Sequence, residues 1–175
     1  TNFSAQISEV LATSPDAIVL ISFDEAKTII PALVSQFPAE NLYMVDGNLA
    51  NYSEDFEPGT LTGAKGTAPG LDPDTIRDFL NRMEENWVAE GNASLDEVFL
   101  YGPESYDAVV LLALAALAAG SVEGADMAGK LQEVSGGSGA GTKCTSFAEC
   151  ADIINGGGVA DYDGVSSPVT FDEFG

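Results

Sequence analysis

Two short apolar runs, Ala17-Ile18-Val19-Leu20-Ile21 and Leu42-Tyr43-Met44-Val45, flank a helical pattern from about Glu25 to Gln36. Strand, helix and strand joined by short connections form a βαβ unit, and such units build parallel sheets with right-handed crossovers. The first run is continuous rather than alternating, which predicts a strand buried on both faces. Ahead of it, Phe3, Ile7, Val10 and Leu11 fall at helical spacing, with Thr1 or Asn2 as N-cap and Ser14-Pro15-Asp16 as the stop. Pro31, inside the second helical pattern, should kink that helix or delay its start. Ligands of open sheets sit beyond the C-terminal ends of the strands. Phe23, Asp24 and Asp46 occupy those ends, so topology alone makes them candidates.

Residues 48–58 are polar and irregular, 61–67 read as extended, and Pro69-Gly70 closes that stretch. The change in composition marks a passage between two structural units. Helical spacing returns from Asp74 to Glu90, with Ile76, Phe79, Leu80, Met83 and Trp87 on one face and Gly91-Asn92 as C-cap. Tyr106 to Ala119 is apolar nearly all round and predicts a buried helix. Its uninterrupted apolar stretch, Ala108 to Ala119, is twelve residues, short for a bilayer crossing. A further helix is expected over about Ala125 to Glu133. Ser135 to Gly141 reads as a mobile surface loop, since it lacks the Lys-Ser/Thr ending of a phosphate-binding loop.

Several chemistries are excluded by composition. The chain has no histidine, which removes the commonest general base and any Ser-His-Asp or Cys-His mechanism. With 28 acidic residues against six basic ones the net charge is -22, which opposes binding to nucleic acid or to anionic membrane surfaces. A solvated acidic surface suits a secreted or salt-exposed protein. Adjacent acids such as Glu84-Glu85 and Asp172-Glu173 arise readily in so acidic a chain and do not argue for a glycosidase pair. Only Asp46, at a strand end, has a sequence reason to be desolvated. A turn residue before Gly47 and a ligand contact are both open to it.

Cys144 and Cys150 bracket Ser146-Phe147-Ala148-Glu149, which fits a capping box with Ser146 as N-cap and Glu149 three residues on. A structural disulfide fastening the incoming chain to that helix is expected, and it points to an oxidising compartment. Two cysteines without histidine fall short of a zinc set unless carboxylates complete it, and a redox pair usually has two intervening residues. Asp161-Tyr162-Asp163-Gly164 matches a calcium loop poorly and reads as a turn. No metal and no cofactor are expected.

Several stretches together resemble one family. They are Phe3-Ser4-Ala5-Gln6-Ile7, Pro15-Asp16-Ala17-Ile18-Val19-Leu20, Tyr101, Ser105-Tyr106-Asp107-Ala108-Val109 and the tail Tyr162-Asp163-Gly164-Val165-Ser166-Ser167-Pro168-Val169-Thr170-Phe171-Asp172. In order and spacing they resemble the substrate-binding proteins of branched-chain amino-acid ABC importers. The Cys144 to Cys150 segment resembles versions from high-GC Gram-positive bacteria. The resemblance implies an α/β protein of the periplasmic binding protein type 1 fold, a parallel sheet with flanking helices in each of two lobes. It implies an incomplete two-lobe protein, lacking about half of a full receptor before Thr1 and a short segment after Gly175. Residues 1–64 would be part of the second lobe, 65–160 part of the first, and 161–175 a crossover near the hinge.

The function so implied is non-enzymatic. The protein would bind an amino acid in the cleft between lobes and present it to a membrane permease, outside the cytoplasm and lipid-anchored in its full-length parent. Phe23 matches a position where the family places an aromatic ring over the ligand, Asp46 one where an acid meets the ligand's ammonium group, and Tyr101 a pocket-edge aromatic. Phe23 replaces a frequent Tyr, and Asp46 is a shorter acid than Glu. A sensory ligand-binding domain of the same fold, attached to a signalling module, is the alternative. Half-lobes should expose apolar surface from helix 106–119, which predicts a homodimer of the fragment.

Overall fold

The computed structural model describes residues 2–96 and 98–174. Among them six α-helices and two small parallel sheets form a mixed α/β fold. The chain divides into two compact units. One comprises residues up to Pro69 with Asp96 and 98–100, and the other 70–95 with 101–174.

In the first unit the order is α1 (Ser4–Ala12), β1 (Ile18–Leu20), α2 (Ala26–Val34), β2 (Leu42–Met44) and β3 (Lys65–Gly66). The N-cap of α1 is Phe3, not Thr1 or Asn2, and Asn2 Oδ1, one residue outside it, accepts the Ser4 amide at 2.8 Å. Thr1, the other cap considered, lies outside the described residues. Helix α1 ends at Thr13, and Ser14 turns the chain away at φ 53°. Helix α2 runs through Pro31 from Ala26, so the proline does not delay its start. The missing proline amide leaves the Lys27 carbonyl without its helical donor.

The three strands lie parallel in the order β1-β2-β3. Ile18 pairs with Leu42 and Leu20 with Met44, and these four side chains pack with Ile7, Ala26, Ile30, Leu33 and Phe37. Burying each of the larger ones contributes about 1.5–3 kcal/mol. The alternate residues face the other way, where Val19 pairs with Tyr43 and Tyr43 with Lys65. Val19 remains 62% exposed and Ile21 79%. The expectation that this strand is buried on both faces is therefore wrong. Helices α1 and α2 pack on each other and share one core with the sheet, so they cover one face only. On the open face the Lys65 ammonium stands 5.4 Å from the centre of the Tyr43 ring.

The second unit comprises α3 (Arg77–Ala89), α4 (Gly102–Ala119), α5 (Gly124–Val134), β4 (Thr142–Cys144), α6 (Phe147–Asn155) and β5 (Ala160–Tyr162). Helix α3 starts three residues later than its periodicity suggests. Pro73 opens a separate 3-10 turn, with Asp72 accepting the Asp74 amide, and Ile76 breaks continuity at φ -124°. Strands β4 and β5 pair in parallel around α6 and make a second βαβ unit. Three residues each, with Lys143 and Asp161 among them, they are too short and polar for a periodic signal. Their core joins Val110, Leu111, Leu114, Ala115, Val134 and the fully buried Tyr162.

Helix α4 is not buried all round. Val109 is 65% exposed, and Tyr106 and Leu112 also reach solvent. It begins at Gly102 and so spans 18 residues at a mean hydropathy of 1.3, a length and composition shared by membrane-crossing helices and by core helices of soluble proteins.

The desolvated acid of this unit is Asp107, at 1% exposure, on the inner side of α4. Its carboxylate accepts from the Tyr162 hydroxyl at 2.6 Å, the Ser166 hydroxyl at 2.6 Å, the Ser166 amide at 2.7 Å and the Val165 amide at 3.0 Å. The reading that singled out Asp46 as the one acid with a reason to be desolvated missed it. A helical register does not show that a distant tail will supply donors. Gly164 is required beside it, because a Cβ there would collide with the carboxylate. Residues 161–174 thus pack into this unit.

Cys144 and Cys150 are both buried and joined by a disulfide, with their Cα atoms 5.4 Å apart. Ser146 Oγ accepts the Glu149 amide at 3.3 Å, while Glu149 reaches back to the Thr145 amide at 3.0 Å. The capping box is therefore present but shifted by one residue on its return arm. The bond ties the end of β4 to the first turn of α6. Replacing both cysteines by alanine should cost roughly 2–3 kcal/mol, read as a lower urea midpoint for loss of helical circular dichroism.

Burial first, and then the hydrogen bond to Asp107, hold the Tyr162 phenol well above its ordinary range. The unfolded chain loses that proton near pH 10 while the folded one keeps it, so the folded state binds more protons from there upward. The contribution of Tyr162 to stability should be level below about pH 10 and then fall by about 1.4 kcal/mol per pH unit. Urea unfolding at stepped alkaline pH tests this, and Tyr162→Phe should flatten that part of the slope.

Candidate functional site

Strands β1 and β2 end side by side, and the residues that follow them meet. After β1 comes Ser22-Phe23, and after β2 a 3-10 turn, Asp46-Gly47-Asn48. Asn48 is 2% exposed and uses both ends of its amide. Its Nδ2 donates to the Leu20 carbonyl at 2.8 Å and to Ser22 Oγ at 3.0 Å, and its Oδ1 accepts the Val45 amide at 2.9 Å. The Asn48 carbonyl in turn accepts from the Tyr52 hydroxyl at 2.6 Å. One side chain thus ties the two strand ends together and holds the loop that carries Asp46.

Phe23 is set by the same knot. Its amide donates to Glu25 Oε2 at 3.0 Å. Together with Glu25's own backbone amide, which acts more strongly, that bond holds the Glu25 carboxyl below its usual range. The Phe23 ring is 72% exposed and lies along Gly47. A Cβ on Gly47 would come within 2.8 Å of the ring and 3.0 Å of the Ser22 carbonyl, so only glycine allows this approach. The Phe23 ring therefore lies against Gly47, the residue that follows the half-buried Asp46, at the carboxyl edge of a parallel sheet. An exposed apolar ring and an acid on adjoining strand-end turns can receive a ligand with a cationic group next to an apolar one.

Tyr101 belongs to the second unit. It is the residue before α4, half exposed, with φ 61° in the left-handed region. A non-glycine residue held there is strained, and such strain concentrates at functional positions. Among the described residues no group of three or more His, Cys, Asp or Glu is arranged to hold a metal ion. An open hollow of about 430 Å³ in the first unit is lined by Leu49, Asn51, Asp96, Val98, Phe99 and Leu100, and does not include Phe23 or Asp46.

Sequence reasoning overlooked Asn48 and Ser22. The available signal was an asparagine just past a strand end, carrying one donor and one acceptor group where two strand ends need both.

Asn48→Ala should cost about 2–4 kcal/mol, because it strands the Val45 amide and frees the β1 end. Hydrogen exchange should show early loss of protection at Val45. No family model, curated protein or solved structure matches the chain.

Proposed function

We propose that the chain is part of an extracytoplasmic solute-binding protein of the periplasmic binding protein type 1 fold, serving an ABC importer of branched-chain or related amino acids. One observation carries the reading: an exposed Phe23 ring against Gly47, the residue after Asp46, at the C-terminal edge of β1 and β2. That edge is where open α/β sheets take their ligands. Asp46 pairs with the ammonium group of the ligand and Phe23 covers its apolar side chain. The ligand is bound and released without chemistry. The buried disulfide supports an oxidising compartment and hence a place outside the cytoplasm. The acidic surface fits a protein that works in salt-bearing surroundings.

Isothermal titration of the full-length protein against a panel of amino acids should give heat for leucine-like members. Silence across the whole panel would remove that ligand class. Asp46→Asn should weaken binding roughly tenfold to a hundredfold, the worth of one hydrogen bond to a charged partner. An unchanged affinity would leave Asp46 as a turn residue.

A further inference from the structure

The sequence contains three Asn-x-Ser triplets with no proline in the middle, Asn2-Phe3-Ser4, Asn51-Tyr52-Ser53 and Asn92-Ala93-Ser94. That pattern is the acceptor of N-linked glycosylation in proteins that leave the cytoplasm. The transferring enzyme must reach the amide nitrogen of the asparagine and the hydroxyl two residues on. Geometry separates the three.

Asn92 Nδ2 is engaged, donating to the Trp87 carbonyl at 3.0 Å behind the end of α3. Asn2 holds the Ser4 amide through its Oδ1, and Ser4 is the first residue of α1, so reshaping this triplet would unwind a turn. Asn51 has neither constraint. It is exposed, in the irregular stretch that follows the Asp46–Asn48 turn, outside every helix and strand. Its Oδ1 accepts the Ser53 amide at 3.0 Å in a local turn, and among the described residues Nδ2 donates to nothing. Tyr52 between them is buried and anchored through its hydroxyl to the Asn48 carbonyl. The triplet is thus pinned at its middle residue and presented at both ends.

We propose that Asn51 is an N-glycosylation site, taking an oligosaccharide from a lipid-pyrophosphate donor. The Asn51 amide nitrogen forms a bond to the anomeric carbon of the first sugar. The bond from that carbon to the pyrophosphate oxygen breaks, and the lipid pyrophosphate leaves with the electron pair. The amide proton passes to a carboxylate base of the transferase. The proposal rests on the extracytoplasmic reading above, because the transfer occurs on that side of the membrane.

The test is peptide mass spectrometry on the full-length protein from its native cells, with the cytoplasmic and external fractions analysed separately. Expected is a glycan-bearing peptide covering Asn51 in the external fraction. It should be absent in Asn51→Gln and in Ser53→Ala, while the peptide covering Asn92 stays unmodified. External protein with Asn51 wholly unmodified, or with glycan on Asn92 instead, overturns the site and leaves the extracytoplasmic reading standing. Protein confined to the cytoplasm with Asn51 bare overturns both.

Discussion

The buried carboxylate of Asp107 receives hydrogen bonds from groups 55 to 59 residues further along the chain, and the second unit is organised around meeting that demand. A charge taken out of water is costly unless its lone pairs are filled. Tyr162 delivers one donor from β5, which reaches its place by pairing with β4, and β4 is fastened to α6 by the disulfide. The remaining donors come from the turn after Gly164. Helix α4, the strand pair and the tail therefore hold their places through one side chain. Ser135 adds a second anchor, its hydroxyl accepting the Phe171 amide at 3.1 Å.

The first unit meets a similar problem with a neutral group. The ends of parallel strands leave backbone groups that the sheet itself does not pair. Asn48 supplies a donor to one strand end and an acceptor to the other across 28 residues of chain. An amide suits this task because it carries both functions on one rigid plane. A carboxylate suits the other, where every partner is a donor. The two units thus share a plan, a parallel strand pair with a crossover helix, and differ in the polar group that closes it.

The apolar runs 17–21 and 42–45 and the helical spacings were enough to read an α/β class and to place β1, α2 and β2. They also placed Phe23 and Asp46 at one edge, where the close approach to Gly47 was not readable because it depends on a ring orientation. The cysteine spacing and the capping pattern were local and hence legible. What sequence could not carry was longer in range. Strands β4 and β5 are stabilised by what they pack against rather than by their own residues. Asp107 looked like one more acid in an acidic chain until the tail arrived beside it. The error over β1 has another source, since a continuous apolar run states what a strand can bury and not how many layers cover it.

That uncovered face has a consequence for how the molecule behaves in company. Val19, Ile21 and Tyr43 form a patch on which Lys65 is the charged side chain, on a chain whose net charge is -22. Copies of so acidic a chain repel one another. The reach of that repulsion is about 30 Å at 0.01 M salt, about 10 Å at 0.1 M and about 3 Å at 1 M. The protein is in this respect a charged colloid that leaves an apolar sheet face bare. Concentrated salt therefore shortens the reach of the charge that keeps two such faces apart.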